Sequence, residues 1–394
     1  MAGATLLYFP LHYLDIAIDF KTFRPMALSV PILMFAIDQM ERGRLGTMAL
    51  LLIVSLTGKE DLAIVIAPLG VWLCVTGWWS KPTGCNTWAC GAVTRQMIYG
   101  AAIAVLATVY LYLAVKVFIP WFRGGETVHY ARYFSRFGET PKEIVTNMVT
   151  QPGLLLGELI TAGTIVYALR VLVPLGGTPL LSPTRLMVGA PLFVLLCLNE
   201  IAQETPAPVH HFHAPLVPIV LWAAAAGLPN VARFARHAHG LQAVGLQTAR
   251  FACLCALFTS AVISFHPLSI KFWDAGRATY WRRLFVPGER AAQFAKIESL
   301  IPLEARVAST DFVHPRYTHH MRSYDYSDYL RQVAGYEHRV PADTDYIVID
   351  TQHPYSTIKR PEDVRELREE PAQWELLRDV WEQTDGFFIV LKRR

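Results

Sequence analysis

The residues LGTMALLLIVSLTG, from Leu45 to Gly58, lead into the charged triplet Lys59-Glu60-Asp61, and LAIVIAPLGVWLCVTGWW follows from Leu62 to Trp79. Neither flank contains a charged residue. Their length and apolar character predict two membrane-spanning helices joined by a turn. The triplet then lies at one membrane face, where three ionisable groups between two spans need ion pairs, water or a chemical role.

The distribution of charge divides the chain into two parts. Charged residues make up 17% of the 394 residues, whereas a soluble protein contains about 25%. The deficit is confined to the first part of the chain. We therefore predict a mainly α fold, in which a helical membrane domain of about eight spans covers residues 1–270 and a small soluble α/β domain covers residues 271–394. The net charge of +4 is too small to favour nucleic-acid binding.

The six cysteines do not suggest a metal site. Cys85 and Cys90 resemble half of a zinc site, but no second pair and no nearby histidine completes it. Most of the others lie in apolar stretches, where cysteine behaves as a small hydrophobic residue. We predict no bound zinc.

The C-terminal part contains short patterns typical of an α/β domain. Residues 306–310 and 346–350 are β-type runs bounded by turn residues, and residues 374–377 and 387–391 supply further strands. Residues 361–370 begin with Pro-Glu-Asp, which favours the start of a helix. No glycine-rich phosphate loop or nucleophile elbow accompanies them.

The loops alternate between basic and mixed composition, which predicts their orientation. The basic set contains Arg42 and Arg44; Lys81 and Arg95; Arg170 and Arg185; and Arg233, Arg236 and Arg250. Since lysine and arginine are enriched in cytoplasmic loops, we expect these basic loops to lie in the cytoplasm. We expect the protein to be an integral protein of the cell (inner) membrane. The triplet, the 120–152 insertion and the C-terminal domain then lie on the extracytoplasmic side.

Several loops on that outer side supply polar residues that are candidates for a functional site. They are Asp19, Arg24, Lys59, Glu60, Asp61, His210, His211 and His213. A polar cluster collected from several loops on one face is what an active site above a membrane requires. The structural alternative is that the acids hold Lys59 or Arg24 in an ion-pair network while the histidines pack at the interface.

A family resemblance adds to this interpretation. The motif from Asp19 through Arg24 to Pro25, the apolar run ending at residues 41–44 and the triplet one hairpin later resemble the predicted membrane proteins of domain-of-unknown-function family 2079. The family's Asp-Phe-His-Pro-like motif differs here, because Lys-Thr-Phe-Arg precedes the proline, so no histidine role is carried over. Residues 133–144 resemble the family's outer-loop helix, and residues 211–218 resemble the start of its aromatic-proline span.

These proteins resemble integral-membrane glycosyltransferases of the GT-C type. The resemblance implies a polyprenyl-phosphate-linked sugar as donor and a reaction on the outer membrane face. In such enzymes the catalytic carboxylate lies in the first outer loop, and this chain begins downstream of that loop. The resemblance therefore implies that N-terminal spans, with the principal catalytic base, precede the sequence.

A lipid-phosphate donor needs cations for its phosphate and a carboxylate that activates the acceptor hydroxyl. The catalytic candidates are Asp19, Glu60 and Asp61. The substrate-binding candidates are Arg24, Lys59, His210, His211 and His213. A divalent cation that neutralises the leaving phosphate is left open as a cofactor. Beyond the lipid bilayer and the lipid-linked sugar, the sequence indicates no partner.

Two other function classes remain as alternatives. In a transporter, intramembrane charges line a path between inverted repeats, whereas these charges gather at one face and the sequence shows no internal repeat. The other alternative is a non-catalytic membrane anchor that presents the extracytoplasmic domain.

Overall fold

The computed structural model describes residues 2–8, 25–79, 87–122, 129–199, 211–234, 241–264, 266–277, 280–310, 313–326, 340–352 and 356–394. The chain forms two units, Met1–Asp274 and Ala275–Arg394. The described part of the first is built from helices, and the second contains a small sheet with short helices. The predicted fold class, a mainly α membrane-type domain with a small α/β domain, is confirmed.

The first unit contains helices and 3₁₀ segments in its described ranges. In chain order the helices are α1 (Ala2–Leu6), α2 (Met26–Glu41), α3 (Leu45–Leu56), α4 (Ala63–Trp79), α5 (Thr87–Leu113), α6 (Ile119–Phe122), α7 (Pro141–Thr150), α8 (Pro152–Leu159), α9 (Ala162–Leu172), α10 (Pro183–Leu186), α11 (Ala190–Leu198), α12 (Leu216–Phe234), α13 (Leu241–Ile263) and α14 (Ile270–Trp273). A π-helical turn, Ala114–Phe118, joins α5 to α6. Helices satisfy their own backbone hydrogen bonds, as a lipid environment requires.

Three helical segments in the described ranges are long and apolar enough to cross a membrane: Glu60–Trp79, Val93–Phe122 and Val244–Ile263. A fourth crossing results if Pro152–Leu159 and Ala162–Leu175, which are bent by 54°, act as one broken span. Shorter apolar helices cover Leu45–Leu56, Pro183–Leu198 and Leu216–Val231. The count of about eight spans stays a prediction.

Two buried serines hold the hairpin of α2 and α3 together. The Ser29 hydroxyl donates to the carbonyl of Ser55 at 3.0 Å, and the Ser55 hydroxyl donates to the carbonyl of Ser29 at 3.3 Å. Reciprocal bonds of this kind satisfy polar groups between helices in an apolar setting. They bring the start of α2 against the end of α3, immediately before the charged triplet.

Helices α4 and α5 approach each other most closely at two glycines. A Cβ atom added at Gly70 would lie 2.5 Å from the backbone nitrogen of Ala104, and one added at Gly100 would lie 2.6 Å from that of Cys74. Small residues at such crossings let two backbones pack in van der Waals contact, which is a main source of helix association in membranes. The crossing therefore fixes α5 beside α4, which begins at the triplet.

A second polar cluster lies at the far end of α2. The Glu41 carboxylate accepts hydrogen bonds from Trp222 Nε1 at 2.7 Å and Arg185 Nη2 at 3.0 Å. The Arg185 guanidinium lies over the rings of Trp72 and Trp222, at 5.3 and 5.2 Å from their centroids. This cluster ties α2, α4, α10 and α12 together away from the triplet.

The second unit is organised around a five-stranded sheet, counted over its described residues. The strands are β1 (Arg306–Ser309), β2 (Arg322–Asp325), β3 (Tyr346–Asp350), β4 (Trp374–Leu376) and β5 (Phe388–Arg393). Their order is β2-β1-β3-β5-β4, in which β1 is parallel to β2 and β3, while β5 is antiparallel to β3 and β4. The helices are α15 (Trp281–Phe285), α16 (Glu289–Glu298), α17 (Arg365–Glu369) and α18 (Arg378–Gln383). The predicted strands at residues 306–310 and 346–350 are confirmed.

Both faces of this sheet are covered. On one face, Phe294 and Ile297 of α16 pack with Val348 and with Tyr317, which follows β1. On the other face, Tyr326, which follows β2, packs in the cluster of Trp374 and Ile347. Because successive apolar side chains of a central strand point to opposite faces of the sheet, each central strand contributes to both clusters.

An ion pair joins the first strand to the start of the third. Arg306 donates to Asp345 through Nε at 3.0 Å and Nη2 at 2.8 Å, and its backbone N–H donates at 2.9 Å. The Arg306 guanidinium beside Asp345 holds the pKa of that carboxyl below its usual value. The charged form is therefore favoured in the folded unit.

The glycine crossing predicts a local stability effect. Gly70→Ala should destabilise the membrane unit by about 1–3 kcal/mol, because the added methyl group meets backbone atoms that side-chain rotation cannot displace. The measurement is unfolding by detergent titration, followed by circular dichroism. Gly157→Ala in α8 is the control, since nothing lies within 4 Å of its added Cβ. Equal stability of the two variants would contradict the packing described here.

The Arg306–Asp345 pair predicts a pH dependence. Because the folded pKa of Asp345 is lowered, its contribution to stability is present above the ordinary aspartate pKa of about 4 and is lost as pH falls through the folded value. Asp345→Asn should lower the hydrogen-exchange protection of β1 and β3 near pH 6 and remove part of its loss on acidification. Glu304→Gln, an exposed neighbour of β1, should leave both unchanged. An unaltered acid profile in Asp345→Asn would exclude this role.

Candidate functional site

The triplet directly follows Gly58, a position at which there is no room for a side chain. A Cβ atom added at Gly58 would overlap the Ser29 hydroxyl, which itself bonds to Ser55. Lys59 then adopts an extended backbone, with φ −170° and ψ 147°, before a 3₁₀ turn from Glu60 to Leu62 leads into α4. The turn thus places Lys59 and Asp61 at one end of the apolar helix α4.

Within the triplet, Lys59 and Asp61 form a short ion pair. Lys59 Nζ donates to Asp61 Oδ2 at 2.6 Å, and the two side chains are 25% and 15% exposed. The ammonium group also lies 5.1 Å from the centroid of the Phe212 ring, where a cation is attracted by the negative face of the aromatic system. The second oxygen of Asp61, Oδ1, is buried and has no hydrogen-bond partner among the described residues.

The ion pair lines a cavity of about 190 Å³. Its lining residues come from the start of α4, from α5 and α11, and from the 3₁₀ segments His129–Phe137 and His211–His213. They are Lys59, Glu60, Asp61, Ile64, Leu111, Tyr133, Phe134, Leu192, Leu195, Leu196, Asn199 and Phe212. The cavity is therefore largely apolar, with charged groups at one place in its wall.

The structure brings some of the candidate residues together and separates others. Lys59, Glu60 and Asp61 line the cavity. His213 is 3% exposed, precedes the start of α12 and does not itself line the cavity. Asp19, Arg24 and His210 lie outside the described residues, as does the side chain of His211.

Apart from the triplet, the residues that line the cavity were not predicted, and four of them have aromatic or polar side chains. Phe212 lies between two candidate histidines, and Tyr133 and Phe134 lie in the loop that resembles the family's outer helix. Asn199 follows the last turn of α11. Aromatic residues in a polar loop between spans are a usable signal, but the signal does not reveal which of them meet the triplet.

The chemistry available in the cavity is that of a cation beside a carboxylate in apolar surroundings. An ammonium group in such a place binds phosphate strongly, because the low local dielectric strengthens the attraction. A carboxylate freed from its lysine accepts a proton or a hydroxyl hydrogen bond. Across the described parts of the chain, no group of three or more His, Cys, Asp or Glu side chains is placed to hold a metal ion.

Helices of membrane-spanning length, with an ion pair at the end of one of them, define an integral membrane protein that carries a small α/β unit. The chain belongs to the DUF2079 family of predicted membrane proteins, whose model matches residues 4–386. No curated protein and no solved structure matches the chain.

The ion pair predicts a measurable coupling between its two members. Lys59→Met should destabilise the membrane unit, because Asp61 is left with a poorly solvated charge. The double variant Lys59→Met/Asp61→Asn should recover part of that loss, with a coupling energy of about 0.5–3 kcal/mol. The measurement is the same detergent unfolding titration, applied to the two single variants and the double variant.

The matched control is the exposed ion pair Asp38–Arg42 at the far end of α2, with a separation of 2.8 Å and side chains 45% and 60% exposed. Exposed pairs contribute little, so its coupling should be near zero. Equal coupling energies for the two pairs would contradict the conclusion that Lys59 and Asp61 lie in low-dielectric surroundings.

Proposed function

We propose that the protein is a GT-C-type membrane glycosyltransferase that transfers a sugar from a polyprenyl-phosphate donor. The observation that carries the proposal is the pairing of Lys59 with Asp61 in the wall of an apolar cavity at the end of a membrane-spanning helix. A lipid-linked sugar phosphate combines an anionic group with a hydrocarbon chain. A cavity with one cationic group in a wall of mainly apolar side chains matches both the phosphate and the hydrocarbon chain.

Lys59 is proposed to bind the donor phosphate. Its ammonium group is held by two partners, the Asp61 carboxylate at 2.6 Å and the Phe212 ring at 5.1 Å. The donor phosphate is a diester with one negative charge, and its charge increases as the sugar leaves, so a cation beside it stabilises the transition state more than the bound donor. Lys59 is therefore proposed to turn from Asp61 to the phosphate during the reaction, while its contact with the Phe212 ring keeps the ammonium group near the cavity.

Asp61 is proposed as the carboxylate that this exchange releases. Its buried Oδ1 already has no partner among the described residues, so loss of Lys59 leaves both oxygens available to an acceptor hydroxyl. A hydrogen bond from that hydroxyl satisfies the buried charge and prepares the oxygen for attack on the sugar. Glu60, which lines the same cavity, is a second carboxylate for this role.

The size of the cavity limits what it holds. Sites for whole small-molecule ligands measure about 300–1,000 Å³, whereas this cavity measures about 190 Å³. We assign it to the phosphate and the adjoining hydrocarbon of the donor. The remaining candidates, Asp19, Arg24, His210 and His211, are proposed to contact the sugar and the acceptor; His213 is proposed to support the cavity from the protein interior. A divalent cation on the leaving phosphate is compatible with this assignment.

The proposed orientation follows the distribution of basic loops. Arg42 and Arg44 lie in the turn between α2 and α3, at the opposite end of this hairpin from the triplet. Since arginine-rich loops are retained in the cytoplasm, we place the triplet and the C-terminal unit on the extracytoplasmic side of the cell membrane. Sugar transfer then occurs on the outer face, where lipid-linked donors are presented.

The test is transfer of labelled sugar from polyprenyl-phosphate donors in membranes that contain this chain or a version extended upstream. Lys59→Ala and Asp61→Ala should each lower turnover by at least about 10²-fold, because each removes a charged group that acts on the reacting centre. Immunoblots and size-exclusion profiles establish that the variants are present and folded.

Asp38→Ala is the matched control, since it removes an aspartate from an exposed ion pair at the far end of α2; its turnover should equal that of the unaltered protein. Absence of turnover from every donor tested, in well-folded protein of both lengths, would contradict the proposal. Such a result would favour a membrane anchor for the extracytoplasmic unit.

A further inference from the structure

The C-terminal unit contains a sheet edge that is not part of the proposed transferase site. Strands β1, β2 and β3 are parallel in the order β2-β1-β3, so their carboxyl ends lie at one edge of the sheet. The residues that end these strands are Ser309, Asp325 and Asp350. This edge is distant in sequence from the triplet.

The described residues that follow the adjacent strands β1 and β3 pack on opposite faces of the sheet. Val313 and Tyr317, which follow β1, pack in the cluster of α16. Ile358 and Val364, which follow β3, pack in the cluster on the other face. Connections that diverge in this way leave a crevice between the two strands from which they start, here β1 and β3, and open α/β sheets bind their ligands at that position.

The side chains at the ends of β1 and β3 face the side covered by α16. Ser309 pairs in register with Val348, and Asp350 lies two residues further along β3. Val307 and Val348 both belong to the cluster of α16. Because side chains two residues apart share a face, Ser309 and Asp350 project to that same face, next to each other at the edge.

Asp350 anchors an arginine at this position. The Asp350 side chain is 1% exposed, and its Oδ2 lies 3.3 Å from Nε of Arg290, in the first turn of α16. Its Oδ1 accepts the backbone N–H of Gln352 at 2.9 Å. The Arg290 side chain is 42% exposed, and its two Nη groups bond to no residue that the structure describes. A buried carboxylate thus orients a guanidinium group whose outer donors remain available.

A histidine is held at the same edge by two hydroxyl groups. His314 Nδ1 lies 3.3 Å from the Ser309 hydroxyl and 3.2 Å from the Ser323 hydroxyl. In the tautomer in which one of these hydroxyls donates to Nδ1, the ring carries its proton on Nε2, which then serves as a donor itself. The edge therefore presents hydrogen-bond donors from two separate elements, the start of α16 and the segment after β1.

We propose that this edge of the C-terminal unit binds an anionic oxygen group, a phosphate or a carboxylate, through Arg290 with His314 as a second donor. A guanidinium group paired with Asp350 on its Nε side, at 3.3 Å, leaves its Nη donors in the planar arrangement that pairs with two oxygens of such a group. The ligand is then a phosphorylated or acidic molecule of the extracytoplasmic space if the proposed orientation holds, and the site itself does not depend on the transferase proposal.

The test is hydrogen-exchange mass spectrometry of the purified full chain with inorganic phosphate, and separately with acetate, at constant ionic strength. Binding should slow exchange in peptides that cover residues 306–310 and 346–352 by at least about threefold, since it adds charged hydrogen bonds to this edge. Slowing by phosphate alone identifies a phosphorylated ligand, and slowing by acetate identifies a carboxylate ligand.

Variants separate binding from folding. Arg290→Ala/Asp350→Asn removes both charges, so that no buried carboxylate is left alone, and should abolish the slowing while the unliganded exchange stays close to that of the unaltered protein. Asp350→Asn by itself keeps the arginine and should retain the slowing. His314→Gln should weaken the apparent affinity by about 2- to 10-fold, as expected for one lost hydrogen bond.

Two controls locate the effect. Arg283→Ala removes another exposed arginine of this unit, and Lys59→Ala removes the cation of the membrane cavity; both should keep the slowing at the sheet edge. The proposal is overturned if neither anion slows exchange there, or if the slowing persists in Arg290→Ala/Asp350→Asn. In either case the Arg290–Asp350 pair has a structural role only.

Discussion

A charged pair at the end of an apolar helix is the constraint on which the membrane unit depends. Lys59 and Asp61 stabilise each other, because their side chains are only 25% and 15% exposed and line a largely apolar cavity, where a single charge is poorly solvated. The contact requires an extended residue directly after Gly58, and the absence of a side chain at Gly58 lets Ser29 and Ser55 close the preceding hairpin. Helix packing, the turn and the ion pair are therefore one arrangement, in which a change to one member alters the others.

Much of the fold follows from local patterns. The apolar run before Trp79 is long enough to be a span wherever it packs, and the continuous apolar run in residues 346–350 suits a strand buried on both faces. Strand β2 was not predicted, since the sequence Arg-Ser-Tyr-Asp is polar and becomes a strand only by pairing with β1. Likewise, the predicted helix at residues 361–370 is divided at Val364, whose fully buried side chain packs under the sheet. Tertiary pairing and burial override local propensity at these positions.

The site was predictable only in its charged part. Charges between two spans stand out in any sequence, so the triplet was identified, but its surroundings come from separate segments between Leu111 and Phe212. Phe212 contacts Lys59 from the 3₁₀ segment His211–His213, and Asn199 reaches the cavity from the end of α11. Periodicity carries no information on such contacts. The same limit applied to His213, which looks like its histidine neighbours in sequence but is enclosed in the protein interior.

The membrane unit has ion pairs at both ends, and their surroundings distinguish them. At the far end of α2, Glu41 accepts from both Arg185 and Trp222, and Arg185 lies over two tryptophan rings, so that each charge has several fixed partners. Lys59 and Asp61 have fewer: the ammonium has one carboxylate and one ring, and the carboxylate keeps a buried oxygen without a partner among the described residues, beside an open cavity. A saturated pair stabilises a fold, whereas an unsaturated one gains free energy when a ligand supplies what is missing. That difference, rather than the presence of charge, is the physical reason for assigning function to the triplet.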